Sequence, residues 1–421
     1  MVKTGYKTTN ISMIPNNWEL VKLGSVIKEL KSGLSRKLSA YDIGLPVIRS
    51  NNIIDHKVDF TDIRYWYIDD PQGANTDNYI LRDDDVLVNF INSISQIGKC
   101  AKHKNALGRN TIYTTNIMRL RLNNKILVNY FLAITQTQRY KNFIFSITKP
   151  AVNQASFTTK DYRSFLISLP PLPEQKKIAE ILGTWDEGIE KVVRLIAAKQ
   201  KLKKGLMQQL LTGKKRFKEF KGQKWEEVKL GKYVKLQGGY AFKSEEFQES
   251  GIPIIRISNI NGSGVNIDKD IVFYNIISIS DDFIVKCGDL LIAMSGATTG
   301  KVGRYLNNSE VYLNQRVGKF VIRNQSKINL EYLSQLVFSW IFRKGIASDL
   351  AAGAQPNISS RSVESIKIPI TNDIKEQQRI ASVLNTCDKE IGNLKQKLDA
   401  LKKQKKGLMQ KLLTGKIRVK N

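Results

Sequence analysis

Residues 174–214 read EQKKIAEILGTWDEGIEKVVRLIAAKQKLKKGLMQQLLTGK, and a related stretch at residues 376–416 reads EQQRIASVLNTCDKEIGNLKQKLDALKKQKKGLMQKLLTGK. The two stretches align without a gap, because Glu174 corresponds to Glu376 and Gly213 to Gly415 at the same offset of 202 residues. An internal repeat of this length indicates that one structural unit is present twice. The chain is therefore predicted to be built from a duplicated unit.

Each copy is predicted to form a long amphipathic helix. Its apolar residues recur at alternating spacings of four and three, which is the heptad pattern of a coiled coil. The apolar positions, here termed the helix seam, are Ile178, Leu182, Trp185, Ile189, Val192, Ile196, Leu206 and Leu210 in the first copy and Ile380, Leu384, Ile391, Leu394, Leu398, Leu401, Leu408 and Leu412 in the second. Because such a stripe needs an apolar partner, the two copies are predicted to pair as a coiled coil.

The pairing is expected to be antiparallel. The link after Gly213 reaches the next repeated segment at Trp225, and so few residues cannot return along the length of the helix. An antiparallel pair would relate the two halves of the chain by a pseudo-twofold axis.

Both ends of each helix carry terminating signals. Prolines 170, 171 and 173 precede the first helix, and Asp373 with Glu376 has the spacing of a capping box at the start of the second. Gly213 and Gly415 suit left-handed C-caps.

The repeat extends into the segments before the helices. VKLG occurs at residues 21–24 and 228–231, and GLPVIRSNNI at 44–53 matches GIPIIRISNI at 251–260. The predicted organisation is a first globular domain at 1–173, a central spacer helix at 174–213, a second globular domain at 214–373, a C-terminal spacer helix at 374–415 and a basic tail at 416–421.

Within the globular domains, short β-branched and aromatic runs alternate with turns rich in Gly, Asn and Asp. These runs predict strands at 46–49, 86–90, 111–122, 253–257, 290–294 and 311–322. Helices are predicted at 128–140 and 330–344. The fold class is therefore mixed α/β, with two strand-rich domains, each followed by a long helix.

The charge of the chain points to a polyanionic partner. The formal net charge is +29, which favours nucleic acid first and an anionic membrane surface second. No apolar run approaches membrane-spanning length, the start MVKTGYKTTN lacks the core of a signal peptide, and the three cysteines are scattered. A cytoplasmic location is expected.

The motifs that would support catalysis are absent or incomplete. SGATTGKV at residues 295–302 resembles a phosphate-binding loop, but it has three residues between its glycines where four are needed, and Val302 replaces the magnesium-binding Ser or Thr. No Asn-Pro-Pro-Tyr or Asp-Pro-Pro-Tyr element exists to hold a flipped adenine. Asp83, Asp84 and Asp85 are better explained by a turn before a strand than by a metal site. The chain is expected to be non-catalytic, without a metal ion.

Candidate nucleic-acid contacts lie in polar loops that contain glycine and basic residues, because base edges and phosphates are read by such side chains. The candidates are Lys31, Ser35, Arg36, Lys37, Arg49, Asn92, Ser95, Gln96, Lys99, Lys243, Arg256, Ser295, Thr298, Thr299 and Lys301. Apart from Arg49 and Arg256, these candidates lie in two pairs of loops, at 31–37 with 238–247 and at 92–99 with 295–301. A third pair of polar loops is at 149–154 and 353–357. Each loop also fits an ordinary solvated turn. Arg49 and Arg256 occupy matching positions, which favours phosphate clamping or a structural pair over base readout.

Two lysines interrupt the apolar seam of the first helix. Lys199 and Lys203 fit three interpretations. They determine the specificity of helix pairing, they contact a partner, or their long side chains simply reach solvent from the seam.

The two copies resemble the specificity subunit of type I restriction–modification enzymes. The resemblance spans essentially the whole chain and is strongest at LPPLPEQKKIAEIL, from residue 169, and GLMQQLLTGKKRF, from residue 205. It implies two target-recognition domains that each read one half of a split, asymmetric double-stranded DNA site. It also implies helices that dock two methyltransferase subunits, which carry S-adenosylmethionine, and restriction subunits, which carry ATP and magnesium; this chain would hold no cofactor. The alternative is a non-catalytic basic coiled-coil scaffold that binds RNA or an anionic membrane surface.

Overall fold

A computed structural model describes residues 4–54, 56–152, 154–222, 224–268, 270–351 and 357–419. The chain divides into two units. Unit 1 combines the residues up to Val192 with those from Lys397 onward, and unit 2 comprises Val193–Gln396. Each unit therefore contains one globular domain, the first part of the long helix that follows it, and the last part of the other long helix. Asn153 and residues 353–356, in the third pair of polar loops, and 420–421 of the tail lie outside the described residues.

The globular domain of unit 1 is rich in short strands. They are β1 (Tyr6–Thr8), β2 (Met13–Pro15), β3 (Glu19–Lys22), β4 (Ile27–Ser32), β5 (Leu45–Ile48), β6 (Ile53–Ile54), β7 (Lys57–Val58), β8 (Arg64–Trp66), β9 (Val86–Asn89), β10 (Ile91–Asn92), β11 (Cys100–Lys102), β12 (Ile112–Tyr113), β13 (Ile117–Leu122), β14 (Lys149–Pro150), β15 (Ala155–Ser156) and β16 (Leu166–Leu169). The larger sheets have the strand orders β11-β9-β13-β4, β12-β5-β8 and β10-β15-β14. Helices α1 (Val128–Thr135), α2 (Gln138–Ile147) and α3 (Thr159–Arg163) complete the domain, and the long helix α4 (Leu172–Leu210) follows it.

Unit 2 repeats this plan. Its strands are β17 (Trp225–Lys229), β18 (Val234–Gly238), β19 (Ile252–Ile255), β20 (Val272–Tyr274), β21 (Ile284–Val285), β22 (Leu290–Ala293), β23 (Val302–Arg304), β24 (Val311–Leu313), β25 (Val317–Ile322) and β26 (Lys367–Thr371). The main sheets are β18-β25-β22-β23 and β20-β19-β24-β21, and β17 pairs with β26 as β3 pairs with β16. Its helices are α5 (Leu330–Val337), α6 (Trp340–Ala351), α7 (Ser360–Ser365) and α8 (Ile374–Leu413). The fold is thus mixed α/β, as predicted.

Four of the predicted elements are each divided in two. The strand predicted at 111–122 is β12 and β13, separated by a turn in which Ile117 N–H donates to the carbonyl of Thr114. The strand predicted at 311–322 is β24 and β25, with the same turn between them. In both cases the second strand joins a different sheet from the first.

The predicted helices at 128–140 and 330–344 are also each two helices. Thr137 caps α2, because its hydroxyl accepts a hydrogen bond from Tyr140 N–H at 3.2 Å. Ser339 breaks the second pair in a similar way, accepting from Ile341 N–H at 3.2 Å. Ser and Thr compete for backbone N–H groups and favour helix starts over helix interiors. The apolar pattern continues through both breaks and concealed them.

The long helices end as predicted, but one start differs. Gly213 and Gly415 both have φ of +69°, the left-handed conformation of a helix C-cap. Asp373 caps α8 by accepting from Glu376 N–H at 3.2 Å. The second hydrogen bond of the predicted capping box, from Asp373 N–H to the side chain of Glu376, does not form, so this part of the prediction is wrong. Asp373 N–H instead donates to the hydroxyl of Thr371, and the carboxylate of Glu376 pairs with Arg216.

The core of each unit includes residues from both long helices. In unit 1, Ile178 and Leu182 of α4 pack in the same buried cluster as Leu412 of α8. In unit 2, Leu384 of α8 shares a buried cluster with Leu210 of α4. Every residue of the predicted helix seam is buried or half-buried, which accounts for the apolar stripe.

An Arg–Glu pair with a buried carboxylate lies at the start of each long helix. In unit 2 the guanidinium of Arg216 donates to both carboxylate oxygens of Glu376, at 2.8 Å and 2.7 Å. In unit 1 Arg418 does the same to Glu174, at 2.8 Å and 2.9 Å. Since Arg216 and Arg418 each follow the end of the other helix, the pairs tie the end of one helix to the start of the other within each unit.

The glutamine that follows each of these glutamates is wholly buried and binds backbone. Gln175 accepts from Leu127 N–H at 2.9 Å and donates to the carbonyls of Lys125 and Pro170. Gln377 makes the equivalent contacts in unit 2, accepting from Asn329 N–H at 2.9 Å. The repeated Glu-Gln pair therefore anchors each globular domain to the helix that follows it.

Candidate nucleic-acid interface

Two of the predicted polar loops in unit 1 lie on either side of one tight turn, residues 114–116, here termed the central turn. The hydroxyl of Ser32 donates to the carbonyl of Thr115 at 2.9 Å, beside the loop at 31–37. Phe90 N–H donates to the carbonyl of Asn116 at 3.2 Å, where the loop at 92–99 begins. Unit 2 has an equivalent turn at 314–316, with Met294 N–H donating to the carbonyl of Arg316 at 3.0 Å.

Gly33 allows the loop at 31–37 to lie close to the backbone beside the central turn. A Cβ atom on Gly33 would lie 2.2 Å from the carbonyl oxygen of Tyr113, and one on Gly239 would lie 2.2 Å from that of Asn314. Contacts this short are not tolerated, so both positions require glycine. Our sequence interpretation noted the glycines in these loops but not their role.

The loop at 149–154 joins the same region through a small sheet. Lys149 of β14 is opposite Ser156 of β15, and Ser156 is opposite Ile91 of β10. The structure therefore brings the three polar loops of the first globular domain into one region. In unit 2 the loop at 295–301 contacts the turn that follows β19, because the hydroxyl of Thr298 donates to the carbonyl of Ile257 at 2.8 Å.

Accessibility differs among the predicted contact residues. Ser35, Lys37, Ser95, Lys243 and Lys301 are exposed; Lys31, Arg36, Arg49, Asn92, Gln96, Lys99, Arg256, Thr298 and Thr299 are half-buried; and Ser295 is buried. The exposed residues and the half-buried lysines remain the strongest candidates for contact with a polyanion.

Some of the predicted cations already pair with carboxylates. Arg36 donates to Asp70, whose side chain is inaccessible to solvent, and this hydrogen bond holds the pKa of Asp70 well below its usual range. Lys243 pairs with Glu246 at 3.1 Å, and that hydrogen bond raises the pKa of the lysine. Both cations would have to leave these partners, or share them, to contact phosphate.

Arg49 and Arg256 make matching structural contacts. Arg49 Nη2 donates to the backbone carbonyl of Asp62 at 2.6 Å and to its carboxylate at 2.7 Å. Arg256 Nη2 donates to the backbone carbonyl of Asp270 at 2.6 Å. Of the two roles left open by the sequence, these contacts favour the structural pair.

The seam lysines form ion pairs between the long helices. In unit 2 Lys203 Nζ lies 2.6 Å from both carboxylate oxygens of Asp388, and Lys199 Nζ lies 2.7 Å from Glu390. In unit 1 Lys405, which corresponds to Lys203, lies 2.6 Å from Asp186. Among the three interpretations of Lys199 and Lys203, these contacts favour pairing specificity.

The structure shows no feature of a metal site or a membrane span in the part that it describes. No group of three or more His, Cys, Asp or Glu side chains that could hold a metal ion occurs among those residues. None of their helices has the length and apolar content needed to cross a membrane.

Comparison with known proteins shows the family. Residues 15–219 and 222–403 each match the type I restriction modification DNA specificity domain. A specificity subunit assigned to the type I restriction enzyme MjaX of Methanocaldococcus jannaschii is 32% identical over 99% of this chain and 97% of its own length. The MjaVIII specificity subunit of the same organism is 29% identical over 97% and 95% of the two lengths.

A solved structure supports the fold. The type I restriction–modification S subunit from M. genitalium superimposes with a TM-score of 0.60 at 17% identity, covering 96% of this chain and 97% of that one. The chain belongs to the family of type I restriction–modification DNA specificity subunits, as its sequence suggested.

Proposed function

We propose that this chain is the sequence-reading subunit of a type I restriction–modification complex and that each globular domain reads one half of a split, asymmetric DNA site. The observation that carries the proposal is the double match to the specificity domain, one match for each repeated half of the chain. The net charge of +29 suits binding to double-stranded DNA. Specificity subunits recognise DNA and leave catalysis and cofactors to their partners, which places this chain among the non-catalytic components.

The partners in this proposal are two methyltransferase subunits and the restriction subunits of the complex. S-adenosylmethionine belongs to the methyltransferase subunits, and ATP and magnesium belong to the restriction subunits. A cytoplasmic location follows from the same proposal, since the DNA target lies there. The alternative scaffold that binds RNA or a membrane surface has no support from the family match.

We also propose the domain organisation that the sequence predicts, with globular domains at 1–173 and 214–373, spacer helices at 174–213 and 374–415, and a basic tail at 416–421. The antiparallel pairing of the helices belongs to this proposal. In unit 2, Lys199 pairs with Glu390 and Lys203 with Asp388, so that residue numbers rise along one helix as they fall along the other. In unit 1 Lys405 pairs with Asp186 and Arg418 with Glu174, which supports the same direction.

Partner-dependent activity tests the proposed function. The purified chain with S-adenosylmethionine should transfer no methyl group and cleave no DNA, since the catalytic groups belong to partners. Adding a methyltransferase subunit should produce salt-sensitive binding to one split duplex sequence and methylation within it. Methyl transfer by the chain alone, or binding to RNA without preference for any duplex sequence, would refute the proposal.

Helix length should set the distance between the two half-sites. One heptad inserted between Lys199 and Leu206, with a matching heptad between Leu401 and Leu408, preserves the seam and adds about 10 Å to each helix. Because duplex DNA rises about 3.4 Å per base pair, the preferred spacer should lengthen by roughly three base pairs. Methylated sites mapped for the double insertion should show the same half-sites with a longer spacer; an unchanged spacer with full activity would show that the helices do not set the distance.

A further inference from the structure

A groove on the first globular domain contains two exposed apolar side chains. It lies between the loop at 92–99 and helix α2 and has a volume of about 670 Å³. Ile94 from the loop and Phe145 from α2 both line it, with 61% and 73% of their surfaces exposed. Single exposed apolar residues are ordinary in proteins, but two on one groove suggest a binding site.

The same groove is lined by cations. Lys99 and Lys141 contribute to its wall, and none of its described lining residues is a carboxylate. Lys149 is exposed on β14, next to Pro150 of the groove. A neutral protein surface would leave these ammonium groups without a counter-charge, whereas phosphates would pair with them. Together with the net charge of +29, the cations around the groove favour a nucleic-acid partner.

The imidazole ring of His56 also lines the groove. Burial lowers the pKa of His56; a hydrogen bond to the backbone of Cys100 opposes this shift, and the nearby cations Lys405 and Lys141 add to it. Its Nδ1 is buried and has no hydrogen-bond partner among the residues that the structure describes. His56 thus adds a polar ring to the groove, while its Nδ1 lies beneath the surface.

The second domain keeps the cations but lacks the apolar pair. The two regions correspond closely, since Ile144 packs against Gly98 as Ile346 packs against Gly300. At the shared offset of 202 residues, Lys301 and Arg343 replace Lys99 and Lys141, while Gly296 and Ala347 replace Ile94 and Phe145. The apolar groove is therefore a property of the first domain.

We propose that Ile94 and Phe145 form an apolar wedge that enters a base step in the half-site of the first domain, while Lys99 and Lys141 contact the flanking phosphates. Apolar side chains that insert between base pairs unstack them and bend the duplex, and adjacent cations hold the backbone. This inference rests on the proposed function and adds that the two domains distort DNA to different extents.

Fluorescence of 2-aminopurine tests the wedge, because unstacking this base analogue increases its emission. The probe is the cognate duplex, defined by mapping methylated sites, with 2-aminopurine placed at successive positions of both half-sites. The methylated adenines and their direct neighbours are left out, because the methyltransferase subunits themselves unstack these bases by flipping. The full chain in complex with its methyltransferase subunits should raise the emission about threefold or more at one step of a single half-site. Exchanging the first domain identifies which half-site that domain reads.

Side-chain variants connect the signal to the groove. Ile94→Ala combined with Phe145→Ala should abolish the rise in emission and weaken specific binding about tenfold, as expected for loss of a base contact of this kind. Lys99→Gln with Lys141→Gln should reduce the salt dependence of binding by about two phosphate contacts. Ile276→Ala is the matched control, because Ile276 is 83% exposed in the second domain and should leave both signals unchanged.

Several outcomes would overturn the wedge while leaving the proposed function intact. These are specific binding with no rise in emission, an equal rise in both half-sites, or an apolar double variant that binds DNA normally. Weakened assembly of that double variant with the methyltransferase subunit, with normal DNA affinity and emission once an excess of the subunit restores the complex, would instead identify the groove as a protein-docking site. If the wild-type complex binds no duplex sequence specifically, the proposed function fails together with the inference.

Discussion

Replacing Arg216 with methionine should loosen the start of α8 in unit 2. The guanidinium of Arg216 contacts both oxygens of Glu376, and the two side chains are only 14% and 1% exposed. Removing one partner of a buried pair leaves an uncompensated charge, which costs about 3–5 kcal/mol. Since each 1.4 kcal/mol is a factor of about ten, local opening should become roughly 100-fold to 4,000-fold more frequent.

The matching pair in unit 1 should be less sensitive to the same substitution, and it therefore serves as a control. Arg418 is 40% exposed, and the indole N–H of Trp18 also donates to Glu174 at 2.9 Å. Since solvent and Trp18 can partly satisfy that carboxylate, Arg418→Met should cost about 1–2 kcal/mol, or roughly a tenfold change in opening.

Amide hydrogen exchange followed by mass spectrometry measures both effects locally. Peptides covering residues 374–382 should exchange faster in Arg216→Met, and peptides covering 172–180 in Arg418→Met, each with little change in the other unit. The double variant Arg216→Met with Glu376→Gln removes the unpaired charge and should recover much of the protection. If it is no better protected than Arg216→Met, or if Arg418→Met is the more damaging single change, our account of these pairs is wrong.

Two further predictions concern the seam and the cysteines. Lys203→Asp should weaken helix pairing in unit 2 by about 1–3 kcal/mol, because the new carboxylate repels Asp388. The charge exchange Lys203→Asp with Asp388→Lys should restore most of the stability. Thermal unfolding measures both effects, and a double variant as unstable as the single one would contradict the ion-pair role. Burial raises the pKa of Cys100 to about 11, so this thiol should resist alkylation at pH 8, whereas exposed Cys287 should react quickly. Peptide mapping after brief iodoacetamide treatment measures the labelling of each cysteine. Equal labelling of the two would be inconsistent with the fold.

Helix ends and seams could be predicted from the sequence because their signals are local. A left-handed glycine such as Gly213 and the heptad spacing depend on a few neighbouring residues. The breaks at Thr137 and Ser339 were missed, since the apolar pattern runs through them and the capping hydrogen bonds belong to single hydroxyl groups. A segment whose apolar periodicity predicts one continuous helix can therefore be divided by a single Ser or Thr hydroxyl that accepts a hydrogen bond from a backbone N–H group.

Long-range pairs were harder to predict, although the repeat contained a signal. Arg216 and Arg418 are separated by the same 202 residues as Glu174 and Glu376, so their pairing could have been suggested from correspondence alone. No sequence pattern near Arg36 indicated that its guanidinium forms an ion pair with Asp70. The apolar groove was also missed, because Phe145 belongs to a helix and Ile94 to a loop that were interpreted separately.

Exchanging the first globular domain tests most directly the claim that each domain reads its own half-site. Residues 15–173 are replaced by the same region of another specificity subunit, and methylated sites are mapped in cells that contain the methyltransferase and restriction partners. Because the helices and the second domain are unchanged, one half-site should change, while the other half-site and the spacer length stay the same. A change in both half-sites would contradict the account, as would an unchanged site.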